Sequence, residues 1–443
     1  MIMKPKLSDH FLGKSPSAIR LAQIEFGKRT DRVEAVNVAI GNVSLPMHPV
    51  MQNRMRLLSL SESPFREGVV RYTVSVGTEE ANRAVLNIIG SSRFETDGLF
   101  SQITDGGSSA MELVILGVCG PAGSGERPLL VFEPVYTNYI EMAQRVGRRV
   151  VSVVRRLDGA GRFRLPEVSK IETVIEKEKP GAMLVIPYDN PSGAYYSQEE
   201  LNTLARLCVK HNLWLVGDEA YRELHYEGDR EKVKGESSRN KPASVWGIGE
   251  SKVPGITGRR ISVESASKVW NACGLRIGAL VTDNKKFHEQ AVAEYTTNLC
   301  PNAIGQYIFG ALADEGTDEL QEWYEQQREY YRALMTETAE EIRQALPKAV
   351  VSSPDAAIYL VVDVKDVVDK NFEMGKFVLW CAREGKVKMG EKWMTLLVAP
   401  MRGFYGSGSD VGRTQMRIAC VESSEKMELV AELLGKLLRE YLG

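Results

Sequence analysis

The chain has 443 residues, more than one ordinary domain needs, so its length alone favours two or three domains. Hydrophobic residues make up 43% and charged residues 26%, as in a globular protein with a sizeable core, and no apolar run approaches membrane-spanning length. The formal net charge of −2 gives no reason to expect nucleic acid or an anionic membrane as a partner.

Cysteines and histidines show no spacing that predicts a metal site. The six cysteines are scattered without a C-x-x-C pair, and the five histidines lack the spacing of ligands. We therefore expect reduced thiols and no metal. The N-terminal stretch "MIMKPKLSDHF" lacks the apolar segment of a signal peptide, so we expect a cytoplasmic protein.

The middle of the chain alternates apolar runs with helical patterns. The predicted strands are "FSQITDGG", "PLLVFEP", "RRVVSVVRRL", "AMLVIPYDNP", "LWLVGDEAY", "RRISVES" and "LRIGALVTD". Such apolar strands, separated by helices such as "SQEELNTLARLCVKHN", predict an α/β fold with a mainly parallel, seven-stranded sheet covered by helices on both faces. Ligands bind these sheets outside the carboxyl ends of the strands, so chemically suggestive residues should cluster there.

A long charged helix begins near residue 318 and marks a change of architecture. Shorter strands and helices follow it, including "QMRIACVE" and "EKMELVAELLGKLLREYL", and they predict a smaller α+β domain. The expected division is an N-terminal arm that joins the small domain (1–50), a large domain (51–317) and the small C-terminal domain (318–443). Residues 227–259 are rich in charge, Gly, Ser and Pro, and predict a long surface loop.

Two predicted strands end in loops suited to an anion and to a flat ligand. In "TDGGSSAM", Gly107 lets the backbone approach a ligand, while Ser108 and Ser109 open a helix whose free N–H groups favour an anion. In "EPVYTNY", the ring of Tyr136 could lie against a flat ligand. Taken singly, the first loop is also explained by a capped turn, and the tyrosine by a place in the core.

Two further loops carry an amide and a carboxylate. In "YDNPSG", a turn can point Asn190 at the same edge of the sheet. Asp218 follows "LWLV", so its carboxylate should be buried and needs a cation or several donors. Tyr221 should lie close to it if a helical turn begins there. A plain turn and an internal arginine would explain these residues equally well.

The stretch "SASKVWNACGLRIG" places a lysine among small residues. Ser265 and Ser267 flank Lys268, and Arg276 precedes the next apolar strand. A second cation in a desolvated pocket lowers the pKa of a lysine and makes its amine a usable nucleophile. On its own the stretch also fits a turn with a surface lysine. Considered together, the loops would suit one ligand, a planar, phosphorylated pyridine aldehyde that forms an imine with the lysine: pyridoxal phosphate.

Four motifs in this order, "NPSG", "DEAY", "SASK" and "GLRIG", make the chain resemble the fold-type I pyridoxal-phosphate enzymes, specifically the class I/II aminotransferases of the aspartate aminotransferase superfamily. The resemblance implies that Lys268 holds the cofactor as an internal aldimine and then moves the proton. Asp218 would pair with the pyridine nitrogen, and Tyr221 would bind the phenolic oxygen. Further cofactor contacts are implied for Gly107, Ser108, Ser109, Tyr136, Asn190, Ser265, Ser267 and Arg276.

The resemblance extends to the substrate and to a second subunit. "YTVSVGTEEANRAV" matches a segment whose tyrosine, here Tyr72, reaches the cofactor phosphate of the neighbouring subunit, which implies a homodimer with shared active sites. "MRIAC" matches the segment whose arginine, Arg417, clamps the substrate α-carboxylate. Asn190 and Gly41 would complete the substrate site. Without the family, Arg417 would be interpreted as an exposed arginine on a strand whose neighbouring residues face inward.

Three functions are weighed. The first is an aminotransferase that moves the amino group of an L-amino acid, with aspartate as a candidate, to a 2-oxo acid. The second is a β-lyase or another amino-acid lyase that uses the same cofactor and lysine. The third, a non-catalytic regulator on this scaffold, is disfavoured because residues 1–40 are too short for a helix-turn-helix and Lys268 is present. No residue distinguishes an acidic substrate from an aromatic or aliphatic one.

Overall fold

The computed structural model describes residues 5–125, 127–226, 242–406 and 409–443. Its strands are, in chain order, β1 (Glu34–Asn37), β2 (Phe100–Thr104), β3 (Leu129–Glu133), β4 (Val150–Val154), β5 (Ala182–Val185), β6 (Trp214–Asp218), β7 (Arg260–Ser265), β8 (Gly278–Thr282), β9 (Val350–Val351), β10 (Tyr359–Asp363), β11 (Val387–Met389), β12 (Lys392–Leu397), β13 (Ala399–Pro400) and β14 (Gln415–Ala419). Its α-helices are α1 (Asp9–Leu12), α2 (Ala18–Phe26), α3 (Pro49–Arg56), α4 (Glu79–Ser91), α5 (Gly107–Cys119), α6 (Thr137–Arg145), α7 (Val168–Glu178), α8 (Gln198–Lys210), α9 (Lys285–Tyr295), α10 (Ala303–Gly310), α11 (Thr317–Ala345), α12 (Met374–Arg383), α13 (Ser424–Met427) and α14 (Leu429–Leu442).

The largest sheet has seven strands in the order β2-β8-β7-β6-β5-β3-β4. Neighbouring strands are parallel except at β8, which runs antiparallel to both β2 and β7. The strands β3, β5 and β8 are buried along their whole length, as expected where helices cover both faces of a sheet. The predicted α/β fold class is therefore confirmed, with β8 as the antiparallel strand.

The direction of these strands brings polar residues to one edge. Strand β6 ends at Asp218, β7 ends at Ser265, and helix α5 begins at Gly107 shortly after β2. These three strands run in the same direction, so their carboxyl ends meet at the same edge of the sheet.

Two smaller sheets lie in the rest of the molecule. One has the strand order β13-β14-β10-β9, and the other has the order β1-β12-β11. Strand β1 comes from the N-terminal segment and pairs in parallel with β12, so the start of the chain is part of the same α+β layer as its end. The division into 1–50, 51–317 and 318–443 stays a prediction.

Helix α11, with 29 residues, contributes to two hydrophobic cores. Leu320 and Tyr324 in its first half pack in the core of the large sheet. Met335 and Ile342 in its second half pack in the core beside the small sheets. None of the described helices, α11 included, combines the length and the apolar composition that a bilayer-crossing segment needs.

The predicted surface loop at 227–259 lies partly outside the described residues, since 227–241 are not among them. In the remainder, Val245, Trp246 and Ile248 are buried in the large-sheet core. The prediction of a surface loop is wrong for residues 242–248, whereas most of residues 249–259 are exposed, in agreement with it. Composition averaged over the whole stretch hid the apolar residues that follow the charged ones.

Candidate active site

A cavity of about 370 Å³ opens at the carboxyl ends of the large-sheet strands, between this sheet and β14. Most of the predicted site residues line this central cavity: Gly41, Gly107, Ser108, Tyr136, Asn190, Asp218, Tyr221, Ser265, Ser267, Lys268, Arg276 and Arg417. Chain segments far apart in sequence therefore meet at one place. Their roles remain predictions.

Asp218 is a buried carboxylate without a cation beside it. The hydroxyl of Tyr139 donates to its Oδ2, and the backbone N–H of Ala220 donates to Oδ1 over 3.1 Å. Burial raises the pKa of Asp218 to about 6, against the lowering effect of the Tyr139 hydrogen bond. No cationic side chain of the described residues pairs with it, so the internal arginine of the simpler explanation is absent from this part of the chain. The carboxylate is free to accept a hydrogen bond from a cationic group in the cavity.

Lys268 lies on the turn after β7 and reaches across to the N-terminal segment. Its Nζ donates to the backbone carbonyl of Gly41. A Cβ on Gly41 would overlap the hydroxyl of Tyr359, so the chain can pass this close only as glycine. The lysine amine thus faces the cavity, where a carbonyl oxygen is its partner.

Tyr221 and Asn190 line the cavity from the loops that follow two neighbouring strands of the large sheet, β6 and β5. The hydroxyl of Tyr221 lies 2.6 Å from that of Tyr359. Burial raises the pKa of Tyr221 well above its ordinary value, and the nearby Tyr359 hydroxyl is the second cause. Tyr221 therefore remains a phenol that can donate a hydrogen bond. The amide oxygen of Asn190 accepts a hydrogen bond from Arg417.

The N-terminus of α5 lies at the wall of the cavity. The first N–H groups of a helix have no partner within it and favour an anion, and Ser108 lines the cavity here. Gly106 has φ +81°, and a Cβ there would overlap the guanidinium of Arg276. Arg276 itself has φ 54° and donates from Nη1 to the carbonyl of Cys273 over 3.2 Å. A glycine and a strained arginine thus place a guanidinium beside the helix N-terminus.

Arg417 is buried in the wall of the cavity. Its Nη1 donates to Asn190 Oδ1 over 2.9 Å and its Nη2 donates to the carbonyl of Ala39 over 2.6 Å. The guanidinium carbon lies 4.4 Å from the ring centre of Tyr359 and 5.0 Å from that of Phe404. Its Nε is buried and has no partner among the described residues. The interpretation as an exposed arginine is wrong, because this side chain is only 4% exposed.

Two predicted cofactor residues do not line the cavity. Ser109 lies one residue beyond Ser108 on α5 and is outside the cavity lining. Tyr72 is 78% exposed and lines a different surface hollow, together with Arg66 and Tyr307. Within one chain it is not part of the central cavity.

Other residues of the cavity were missed by the sequence analysis. Ser17, Ile19 and Arg20 come from the start of α2, and Tyr359 and Phe404 come from the C-terminal part of the chain. The N-cap sequence "SPSA" before α2 could have located that helix, but no local pattern indicated that its start faces the cavity.

One group of possible metal ligands lies outside the cavity, on α7 and at the end of α8. Glu172, Glu176 and His211 have ligand atoms within 4.8 Å of one another. Glu172 already pairs with Lys210 at 2.7 Å and with His211 at 2.5 Å. A carboxylate with two basic partners is explained without a metal, and the expectation that the protein binds none stays a prediction.

Comparison with known proteins identifies relatives of the whole arrangement. The family model for aminotransferase class I and II matches residues 47–400. A probable aspartate/prephenate aminotransferase of Aquifex aeolicus is 24% identical over 318 residues, which span 71% of this chain and 74% of that protein. Among solved structures, an aspartate aminotransferase of Thermus thermophilus has a TM-score of 0.76 at 21% identity and covers 98% of this chain and 100% of its own. An aromatic aminotransferase of Pyrococcus horikoshii has a TM-score of 0.74 at 19% identity and covers 95% and 99%.

Proposed function

This chain belongs to the family of class I and II aminotransferases, and we propose from that premise that it moves the amino group of an L-amino acid to a 2-oxo acid, with pyridoxal phosphate held at Lys268. The family confirms the predicted enzyme class, a transferase of nitrogenous groups. The observation that carries the proposal is the lysine amine of Lys268 in one cavity with the unpaired, buried carboxylate of Asp218.

The cavity residues fit the cofactor at three places. Asp218 would accept the proton-bearing ring nitrogen, since it is buried and has no cation of its own among the described residues. The start of α5 and Arg276 would hold the phosphate, because Gly106 lacks a Cβ and so leaves room for the Arg276 guanidinium beside the first turn of the helix. Lys268 would bind the aldehyde carbon. Ser265, Ser267 and Tyr136 also line the cavity, so the two serines would contribute to the phosphate site and the ring of Tyr136 would offer a stacking surface.

When bound, pyridoxal phosphate supplies an electron sink that acidifies the Cα–H of an attached amino acid. The residues of this chain would then divide the work. Lys268 Nζ would act as a general base that takes the proton from the substrate Cα. It would then act as a general acid that gives the proton to the carbon of the cofactor's former aldehyde group. Asp218 would keep a proton on the ring nitrogen, and the hydroxyl of Tyr221 would donate to the phenolic oxygen. Arg417 would hold the α-carboxylate, and its free Nε strengthens that assignment.

Arg20 supports a donor with a second carboxylate. The basic residues that line the cavity are Arg20, Lys268, Arg276 and Arg417, and the last three have the proposed partners above. Arg20 Nη1 donates to Gln23 over 2.9 Å, and among the described residues no carboxylate pairs with it. A side-chain carboxylate would supply that partner, so we propose that aspartate is among the donors.

The exposed Tyr72 supports a homodimer. Val70, Tyr72 and Val74 are 55%, 78% and 62% exposed in the single chain, an unusual run of large side chains in water. A second copy covering this segment would bury it and bring its Tyr72 toward the first copy's cavity, as the family resemblance implies.

A two-substrate assay tests the reaction. Protein loaded with pyridoxal phosphate is given one amino acid at a time, with and without 2-oxoglutarate. We expect equal amounts of glutamate and of the donor's 2-oxo acid, and no ammonia without the acceptor. Ammonia release without an acceptor would identify the lyase instead.

Lys268→Ala is the matched variant for this assay, with Lys285→Ala as its control on the exposed start of α9. We expect Lys268→Ala to lose activity by about 1000-fold or more, because both the covalent attachment and the proton transfer are removed, and Lys285→Ala to lose none. Normal turnover by Lys268→Ala, or a wild-type protein that does not bind pyridoxal phosphate, would overturn the proposal.

A further inference from the structure

Arg155 and Asp189 form a buried ion pair behind the central cavity. Arg155 follows β4 and Asp189 follows β5 by a few residues, and the distance from Nη2 to Oδ2 is 2.5 Å. Their side chains are 2% and 0% exposed, and neither lines the cavity. The pair therefore contacts no substrate, and any effect on the reaction must pass through other residues.

The guanidinium of Arg155 holds a second loop as well. The same Nη2 donates to the carbonyls of Phe132 over 3.2 Å and of Pro134 over 2.9 Å. Pro134 begins the short loop that carries Tyr136 into the cavity. One side chain thus joins the loop after β3 to the loop after β5.

Asp189 stands directly before Asn190, whose amide orients Arg417. The hydroxyl of Ser192 also donates to Asp189 Oδ2, so the carboxylate accepts hydrogen bonds from Arg155 and from a residue of its own turn. Asn190 Oδ1 then accepts from Arg417 Nη1 over 2.9 Å. A continuous chain of contacts runs from Arg155 through this turn to the guanidinium that faces the substrate.

The hydrogen bonding of the ion pair is incomplete, which argues against a role in stability alone. Arg155 Nε and Asp189 Oδ1 are buried without a partner among the described residues. A buried ion pair replaced by neutral residues of similar shape generally leaves stability unchanged or improved, whereas removal of one partner is strongly destabilising. A purely structural role therefore predicts that a neutral double variant behaves as the wild type does.

We propose that Arg155 and Asp189 are positioning residues, which fix Asn190 and through it Arg417 in the orientation that binds the substrate carboxylate. The proposal rests on the proposed function only in taking Arg417 as the carboxylate site. It predicts that neutralising both residues restores stability and leaves substrate binding impaired. A misplaced carboxylate clamp weakens binding in the ground state and the transition state alike, so KM rises while kcat at saturation is kept.

The test compares Asp189→Asn, Arg155→Met and the double variant, each loaded with pyridoxal phosphate. Thermal unfolding reports stability, and steady-state kinetics with the fastest donor report KM and kcat. Binding of the α-methyl form of that donor, which has no Cα proton to lose, is followed by the cofactor absorbance. We expect both single variants to unfold at lower temperature and the double variant to recover most of that loss, short of the hydrogen bonds that Arg155 donates to the carbonyls of Phe132 and Pro134. We also expect the double variant to keep a KM and an α-methyl dissociation constant about tenfold above wild type.

Arg260→Met with Asp283→Asn is the control, because this partly buried pair, with Nε–Oδ2 at 2.8 Å, lies at the far end of β7 from Ser265. It should leave KM unchanged. A double variant of Arg155 and Asp189 that recovers both stability and wild-type KM would overturn the positioning role. The wild-type protein is measured in the same assay. If it turns over the donor, a wild-type KM in the double variant contradicts the positioning role and not the proposed function.

Ser192→Ala decides the question if the double variant does not fold, since it removes one donor to Asp189 and leaves both charges in place. A KM about threefold above wild type at unchanged kcat supports the proposal, and an unchanged KM overturns it.

Discussion

Arg417 Nη1 donates to Asn190 Oδ1 over 2.9 Å, although the two residues are 227 positions apart in the chain. Arg417 belongs to the four-stranded small sheet and Asn190 follows a strand of the large sheet. The hydrogen bond therefore crosses the boundary between the two sheets at the cavity. The substrate site proposed here depends on how these two parts of the molecule sit together, and on neither of them alone.

Arg417→Met should impair substrate binding more than any other step. Removal of the guanidinium deletes a charge-assisted, bidentate contact to the α-carboxylate, so we expect kcat/KM to fall by about 100-fold or more. Arg417→Lys should recover only part of that loss, because an ammonium cannot form the fork. Arg402→Met, with an exposed arginine on the next turn after β13, is the control. Equal activity of the Arg417 and Arg402 variants would rule out the assignment.

Asp218 predicts a pH-dependent stability of the cofactor-free protein. Burial raises its pKa to about 6 in the folded state, above the usual value in the unfolded chain. Its contribution is therefore fully present below about pH 4 and is lost as the pH rises through about 6, at a cost of roughly 3 kcal/mol. Asp218→Asn has no charge to bury, so it should be more stable than wild type at pH 7.5 and lose that advantage toward pH 4.

Urea unfolding at both pH values measures this difference. Saturation with pyridoxal phosphate supplies the cationic partner that the carboxylate lacks, so the wild type should gain more stability from the cofactor than Asp218→Asn does. If the two proteins show the same stability difference at every pH, the pKa of Asp218 is the same in the folded and unfolded states, and the buried carboxylate without a cationic partner, on which the proposed role depends, is ruled out.

Gly106→Ala should weaken the phosphate end of the site. The new Cβ would overlap the guanidinium of Arg276 and would also strain a residue with φ +81°. Gly98→Ala is a matched control, since Gly98 has φ +78° and nothing lies within 4 Å of the added Cβ. Both variants carry the backbone strain, and only Gly106→Ala displaces the arginine. We expect a dissociation constant for pyridoxal phosphate about tenfold higher in Gly106→Ala than in Gly98→Ala, measured on the cofactor-free proteins.

Much of the fold and of the site could be predicted because the signals are local. Each strand of the large sheet is a short apolar run, and the parallel arrangement brings Asp218 and Ser265 to one edge. Tyr139 could not be predicted, because a tyrosine on an amphipathic helix is normally a core residue, and here its hydroxyl meets Asp218. Tyr359 and Phe404 come from the other sheet, and their place beside Arg417 depends on packing between distant segments.

Tyr72 predicts that two inactive variants complement each other. If each cavity uses Tyr72 of the other subunit, a hybrid of Lys268→Ala and Tyr72→Ala subunits contains one intact site. Mixing them equally after unfolding and refolding should give about a quarter of the wild-type activity, since half of the dimers are hybrids with one of two sites intact. A mixture of Lys268→Ala and Asp218→Asn is the control, because both residues line the same cavity and no hybrid site is intact. No recovery in the first mixture would contradict shared sites.

Arg20 predicts a preference between donors that differ only in charge. Arg20→Gln keeps a hydrogen-bonding side chain at the start of α2 but removes the cation from the cavity. If the guanidinium pairs with the side-chain carboxylate, kcat/KM for aspartate should fall by about tenfold or more while that for alanine stays within about twofold, because alanine has no second carboxylate. Arg32→Gln, at an exposed position outside the cavity, should change neither value. An equal loss of kcat/KM for both donors would show that Arg20 stabilises the N-terminal segment and does not bind the side-chain carboxylate of the substrate. In the wild type, a rise in ionic strength should lower kcat/KM for aspartate more than kcat/KM for alanine, because salt screens a partly exposed ion pair. This difference should vanish in Arg20→Gln.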